Sequence, residues 1–286
     1  PSMFIHKRVP HIRAWIAEQK QLGKSVGFVP TMGALHRGHV SLVDLSKEQS
    51  DITVVSIFVN PKQFNDPEDL KKYPRPIEHD LQMLYEAGAD MVFLPDVEDV
   101  YPPDDTRTID FDPGPAAETM EGKFRPGHFA GMAEVVYRLL ATTTPDKLFM
   151  GQKDFQQFSI VRKLITDFHL PIQLIMCPTI REDNGLAMSS RNVRLSAEAR
   201  QRAGLIYDNL EAGKKALDEG MPPDLIRKNA FQSMRSAGFD PEYFEIVNGY
   251  TLEPVDAIDD AAQVVACCAV KVEGVRLIDN LIWKNG

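Results

Sequence analysis

Apolar, β-branched runs recur through the first two thirds of the chain, with helix-period segments between them. Residues 26–29 form the first run and 52–59 (ITVVSIFV) the strongest; 91–94, 147–150 and 172–176 follow. Continuous apolar runs of this length read as strands covered on both faces. Helical spacing falls at roughly 8–22, 38–50, 76–88, 128–142 and 154–168. Strand–helix alternation of this kind predicts an α/β, Rossmann-like parallel sheet with right-handed connections and a ligand at the strands' carboxyl ends. The pattern changes near 181–195, where Arg181-Glu182-Asp183-Asn184-Gly185 is a polar turn cluster. One long helix is expected over 196–220, capped by Ser196, and a second from about 223 to 237, stopping at Gly238. Strand-like runs at 243–247, 263–270 and 275–282 complete a smaller α+β C-terminal domain. The expected division is 1–182 and 183–286.

Composition narrows the class. With 43% hydrophobic and 26% charged residues over 286 positions, the chain reads as a soluble globular protein able to bury a full core. Its net charge of −9 argues against broad binding to nucleic acid or to an anionic membrane, either of which needs a basic face. Cys177, Cys267 and Cys268 are odd in number and lack CxxC spacing, so they read as reduced, buried thiols in a cytoplasmic protein without a zinc site. No apolar stretch is long enough to span a membrane, and the charged first twenty residues do not read as a signal peptide. Pro1-Ser2, ahead of Met3, reads as an appended stretch.

Four segments carry candidate chemistry. PTMGALHRGH (30–39) follows the first expected strand and opens a helix, where a glycine-bearing turn lets backbone N–H groups face an anion. His36 and His39 share a helix face and could donate to phosphate oxygens. A His-x-x-His metal pair is the less favoured reading, because no third ligand has matching spacing. SIFVNPKQF (56–64) puts the neutral amides of Asn60 and Gln63 at the end of the second expected strand, which Pro61 terminates. GQKDFQQ (151–157) is another strand end. Lys153 there is a mobile point charge suited to phosphate, and Asp154 either caps the helix or receives a ribose hydroxyl or a Mg²⁺-bound water. AMSSRN (187–192) offers two hydroxyls and a guanidinium in succession, a set that suits a triphosphate. GKFRPGHF (122–129) adds further basic groups ahead of a helix. Four donor-rich sites in an acidic chain point toward one anionic ligand.

Taken together, PTMGALHRGH, SIFVNPKQF, RPGHFAGM, GQKDFQQ and AMSSRN resemble the pantothenate synthetase (pantoate–β-alanine ligase) family. That family belongs to the HxGH nucleotidyltransferases, which are related at the nucleotide site to class I aminoacyl-tRNA synthetases. The similarity runs in order from about Gly27 to Leu195 and continues weakly into EIVNGYTLEPV (245–255). It implies ATP-dependent condensation of pantoate with β-alanine through a pantoyl adenylate, releasing AMP and diphosphate. It places ATP on Met32, Gly33, Ala34, Leu35, His36, Arg37, Gly38 and His39. Gly151, Gln152, Lys153, Asp154, Ile180, Met188, Ser189, Ser190 and Arg191 complete that site. His39 takes the family's proton-donor role, with His36, Lys153, Ser189, Ser190 and Arg191 as the other catalytic donors. Gln63 and Gln157 carry over as pantoate contacts, Gln63 also being placed to meet β-alanine. Mg²⁺ is implied only as ATP's companion, with no dedicated metal site, and a homodimer is implied. An exposed edge of strand 52–59 would be one interface for it. The family's usual Glu-Lys-Asp-Tyr is Gln152-Lys153-Asp154-Phe155 here, a departure expected to shift nucleotide affinity. Rival readings are a nucleotidyltransferase that stops after AMP transfer, and a non-catalytic ATP-binding regulator. A tRNA synthetase is disfavoured by the missing basic face and the short chain.

Overall fold

The computed structural model describes residues 2–286; Pro1 lies outside the described residues. In chain order the elements are β1 (Phe4–His6), α1 (Val9–Gln21), β2 (Val26–Thr31), α2 (Arg37–Gln49), β3 (Ile52–Ile57), α3 (Pro67–Lys72), α4 (Ile77–Ala87) and β4 (Met91–Phe93). Then come α5 (Val97–Val100), α6 (Glu121–Phe124), α7 (His128–Thr143), β5 (Lys147–Gly151), α8 (Phe155–Asp167) and β6 (Gln173–Cys177). The remainder is α9 (Ala197–Arg202), α10 (Leu205–Asp218), α11 (Pro223–Ser236), β7 (Asp240–Asn248), β8 (Val264–Val272) and β9 (Val275–Lys284).

The chain divides into two compact units. The first holds the residues up to Gly151 together with Ile160–Cys177; the second holds Gln152–Ser159 and Pro178–Gly286. The boundary expected at 182/183 therefore falls at 177/178, and a short internal segment joins the later residues. That segment is claimed by polar contacts to residues far along the chain, which no local pattern reveals.

In the first unit a six-stranded sheet runs in the order β1-β4-β3-β2-β5-β6, with every pairing parallel. β3 and β4 are buried at every position and β2 at all but one. Side chains alternate faces along a strand, so unbroken burial means both faces are covered. Val29, Val43, Val55, Leu84, Val92 and Phe149 form one of its hydrophobic clusters. β3 lies between β2 and β4, so its edges are paired and the suggested dimer interface along 52–59 is ruled out. β2 and β5 are neighbours although β3 and β4 intervene in sequence. The chain thus builds outward on one side of β2 and returns on the other, a topological switch point with a crevice at the strands' carboxyl ends.

The second unit carries the antiparallel sheet β7-β8-β9, with α10 and α11 packed on each other and on β7 and β9. Leu210, Met234, Phe244, Ala266, Cys268 and Trp283 lie in its core. The single helix expected over 196–220 is two helices, broken at Ala203–Gly204. The turn at Asn184 causes the break. Its side-chain nitrogen donates to the carbonyls of Arg200 and Gln201, both at 2.9 Å, satisfying groups that a continuing helix would have used. A Cβ at Gly204 would sit 2.6 Å from the Asn184 carbonyl oxygen, so a side chain there has no room. All three cysteines are buried. No helix among the described residues is long and apolar enough to cross a membrane.

Candidate active site

The turn after β2 is built from both ends. Thr31 donates its hydroxyl to the Ser56 carbonyl at 2.8 Å and accepts from the Gly33 N–H at 3.2 Å. Gly33 and Ala34 both take left-handed backbone, at φ 82° and 52°, which curls the chain tightly before α2 begins. Ala34 has no glycine's freedom there, and such a conformation persists only where its surroundings hold it. The holder is Asp80 on α4, which is 0% exposed. Its two carboxylate oxygens accept from the Ala34 and Leu35 N–H groups, each at 2.9 Å.

The two histidines close the turn. His36 caps α2, its Nδ1 accepting from the Gly38 N–H at 3.0 Å, while His39 Nδ1 accepts from the His36 N–H at 3.1 Å. A nitrogen that accepts from a backbone N–H carries no proton. Both imidazoles are therefore fixed as the tautomer with hydrogen on Nε2, and that nitrogen is the end able to donate. The rings lie 4.2 Å apart between centroids, both half-buried, at a helix N-terminus. Two aimed N–H donors and a positive dipole end make a place for a phosphate oxygen. Arg37 is exposed beside them.

The second group in this unit surrounds Asn60, which is 1% exposed. Its Oδ1 accepts from the Tyr101 hydroxyl at 2.7 Å and the Lys62 N–H at 3.2 Å. Its Nδ2 donates to the Gln63 Oε1 at 3.0 Å and the Gly131 carbonyl at 3.1 Å. The backbone partners settle which end of the amide is which, since an N–H can only donate and a carbonyl only accept. All four hydrogen bonds of Asn60 are thus spent inside the protein. It stands behind Gln63, whose Oε1 is occupied, so the Gln63 amino group is the end able to face a ligand. Burial, and then the Glu134 carboxylate, push the Tyr101 hydroxyl's pKa well up, so it stays a donor. The RPGHFAGM segment supports this group instead of adding a basic site. His128 is buried with Nδ1 3.0 Å from the Gln63 carbonyl, and Arg125 lies 3.8 Å from Glu121. A Cβ on Gly131 would come within 2.2 Å of the Lys62 carbonyl, so glycine is what lets α7 approach the Asn60 turn.

In the second unit, Gln152–Asp154 form a single 3-10 turn leading into α8, with Lys153 half-buried and Asp154 exposed. Gln157 is half-buried in the first turn of α8. Ile180 and Met188 face each other across a short hairpin, the Met188 N–H donating to the Ile180 carbonyl at 2.9 Å. Beyond it Ser189 caps the turn Ser190–Arg194, its hydroxyl accepting from the Arg191 N–H at 3.2 Å. Arg191 also reaches the Arg276 carbonyl at 3.4 Å, a contact long enough to yield to an anion. The residues from 152 to 154 and from 188 to 191 therefore belong to one unit, although α8 and β6 lie between them in sequence. No group of three or more His, Cys, Asp or Glu that could hold a metal occurs among the described residues.

Three buried polar residues that hold these turns are absent from the sequence reading: Asp80 on α4, and Asp279 and Asn280 on β9. Each left a signal. Asp80 falls on the apolar stripe of α4 with Ile77, Leu81 and Leu84, and Asp279-Asn280 interrupts the apolar run of residues 277–283. A charge or amide at a position the periodicity assigns to the core has a partner to satisfy.

Residues 4–282 match the family described as Pantoate-beta-alanine ligase. The chain is 45% identical to the pantothenate synthetase of Cytophaga hutchinsonii over 276 residues, 96% of this chain and 97% of that one. It is 44% identical to that of Porphyromonas gingivalis strain W83 over 284 residues, 99% and 100% of the two chains. The crystal structure of pantothenate synthetase from Thermus thermophilus superposes with a TM-score of 0.91 at 38% identity, covering 99% of this chain and 100% of that one. Pantoate-beta-alanine ligase from Francisella tularensis, a crystal structure with beta-gamma ATP and beta-alanine, has a TM-score of 0.82 at 34% identity, covering 100% and 99%.

Proposed function

The chain belongs to the pantoate–β-alanine ligase family, and from that membership we infer that it condenses pantoate with β-alanine, consuming ATP, to give pantothenate. It is a ligase that forms an amide bond. A carboxylate does not condense with an amine in water at a useful rate, because its oxygen is a poor leaving group. In the route we propose, a pantoate carboxylate oxygen attacks the α-phosphorus of ATP. The bond from that phosphorus to the β-bridging oxygen breaks, and diphosphate leaves with the electron pair. The neutral amine of β-alanine then attacks the acyl carbon, the bond from that carbon to the phosphate oxygen breaks, and AMP leaves; the amine's extra proton passes to solvent.

The observation that carries this route is the pair of Nδ1-anchored imidazoles at the start of α2. His36 and His39 present fixed Nε2–H donors to the oxygens on which charge builds in the first step, and preorganised donors are worth most there. Met32, Gly33, Ala34, Leu35, Arg37 and Gly38 are proposed to line the nucleotide with their backbone. Gly151, Gln152, Asp154, Ile180 and Met188 complete its surroundings, and Lys153, Ser189, Ser190 and Arg191 serve as further phosphate donors. A single exposed carboxylate, Asp154, beside Lys153 fits a Mg²⁺ that arrives with ATP and keeps its waters. Bound there, the ion would neutralise charge on the phosphates. Gln63 and Gln157 are proposed to hold pantoate, with Asn60 fixing the face that Gln63 presents. The enzyme is proposed to act in the cytoplasm as a homodimer, which sedimentation at micromolar concentration tests.

With ATP and pantoate present and β-alanine withheld, diphosphate should be released in a burst, and chromatography should show AMP in the quenched products. ADP as the sole nucleotide product would mean an acyl-phosphate route and would sink the adenylate. In steady state, Gln63→Ala should raise the KM for pantoate while leaving that for ATP close to normal. Losing one partner of a buried polar contact costs about 1–3 kcal/mol, or roughly 5- to 150-fold. An equal rise in both constants would remove Gln63 from the pantoate site.

A further inference from the structure

Asn280 sits in the middle of β9 and is 1% exposed. Its Nδ2 donates to the carbonyls of Gln152 at 2.8 Å and Lys153 at 3.0 Å, and its Oδ1 accepts from the Gln152 Nε2 at 3.2 Å. One amide thus spends three hydrogen bonds on a turn of three residues. Asp279, next to it and also buried, accepts from both terminal nitrogens of Arg181, at 2.6 and 3.1 Å. That guanidinium also donates to the carbonyls of Gly185 at 3.0 Å and Asn280 at 3.2 Å, and it lies 4.1 Å from the centre of the Tyr207 ring. Arg181 is bridged to Ala187 in the hairpin that leads into Ser189–Arg191.

Neither group has a packing reason to be there. A buried amide is costly unless bonded, and an apolar pair of similar size is often at least as stable as a buried ion pair. What both supply is direction. Lys153 carries its charge on a flexible four-carbon stem, so the placement of its backbone decides where the ammonium can reach.

We propose that Asn280 is a positioning residue for Lys153, and that the adjacent Arg181–Asp279 pair sets the 180–188 hairpin. One strand, β9, then fixes both segments that grip the triphosphate. The proposal rests on the ATP-binding roles given above to Lys153 and Ser189–Arg191.

Two measurements test it. Hydrogen exchange on the substrate-free protein should speed up in Asn280→Ala at the amides of 152–156, and in Arg181→Met at those of 180–188, with the rest of the second unit unchanged. Unchanged exchange in these windows, or a rise spread over the whole unit, overturns it. In single-turnover diphosphate release, Asn280→Ala should be slowed about 10- to 100-fold, the range a small misplacement of a catalytic group produces. Its KM for pantoate should hold. In a Lys153→Ala background the same change should cost less than about threefold, because the residue it places is gone. Equal losses in both backgrounds overturn the proposal. If Asn280→Ala fails to fold, Asn280→Ser, which keeps one donor, carries the same comparison with an intermediate loss expected. Absence of diphosphate release by the unaltered enzyme would instead defeat the parent reading and leave the exchange result standing.

Discussion

Asp80→Ala should lose both stability and rate. Removing the carboxylate strips two N–H groups, of half-buried Ala34 and buried Leu35, of their acceptor. Each orphaned donor costs about 1–3 kcal/mol, so a net loss of about 2–4 kcal/mol is expected once the turn relaxes and water enters. Relaxation is also what harms catalysis. With Ala34 released from its left-handed conformation, the turn that places His36 no longer has one shape, and diphosphate formation should fall on the order of 10²-fold. Asp80→Asn should lie between, because its amide keeps one acceptor but points an N–H₂ at the second donor. A thermal melt with a single-turnover assay reads both effects. A full rate in a destabilised Asp80→Ala would show that the turn holds its own shape and that Asp80 serves the fold alone.

His39→Ala should show the opposite division. The ring is half-buried and caps the helix start by accepting from the His36 N–H through Nδ1, so its removal costs the helix start about 1 kcal/mol. Adenylate formation should fall on the order of 10²–10³-fold, since a preorganised donor to developing charge is lost, with kcat falling more than nucleotide affinity. The tautomer gives a finer test. A glutamine's amide nitrogen can reach the position of Nε2, whereas an asparagine's polar atoms stop near Nδ1. His39→Gln should therefore keep more activity than His39→Asn. The reverse order would place the working end of the ring at Nδ1, and a normal diphosphate burst in His39→Ala would take the residue out of the chemistry altogether.

Much of this architecture is readable from periodicity. Strands β2 to β5 and helices α1, α2, α4, α7 and α8 each fall within a few residues of the apolar patterns that mark them, because local burial dictates local composition; β6 also falls on its apolar run, but as an edge strand it is mostly half-buried instead of covered on both faces. What escapes is whatever a distant partner decides. β1 is three residues long and exists only through its pairing with β4, some 87 positions on. The break before α10 depends on Asn184, 16 residues before Arg200, donating to the carbonyls of Arg200 and Gln201. The site divides in the same way. The HxGH turn, the Asn60–Gln63 turn and the Lys153 turn stand out because glycine, proline and polar clusters interrupt apolar strands there. Asp80 and Asn280 are single polar residues inside regular elements, and their roles depend on which turn they meet.

The amide of Asn280 also imposes a schedule. The groups it binds at Gln152 are made 128 residues earlier. At a synthesis rate of about 5–20 residues per second, those carbonyls wait roughly 6–26 seconds on the growing chain before their partner exists. Until then the nascent polypeptide can complete its parallel sheet while the Lys153 turn remains solvated and unshaped. On the proposed role of Asn280, the Lys153 turn would therefore take its shape only once β9 has been made. An interrupted translation product would be a folded sheet with an unfinished grip on phosphate.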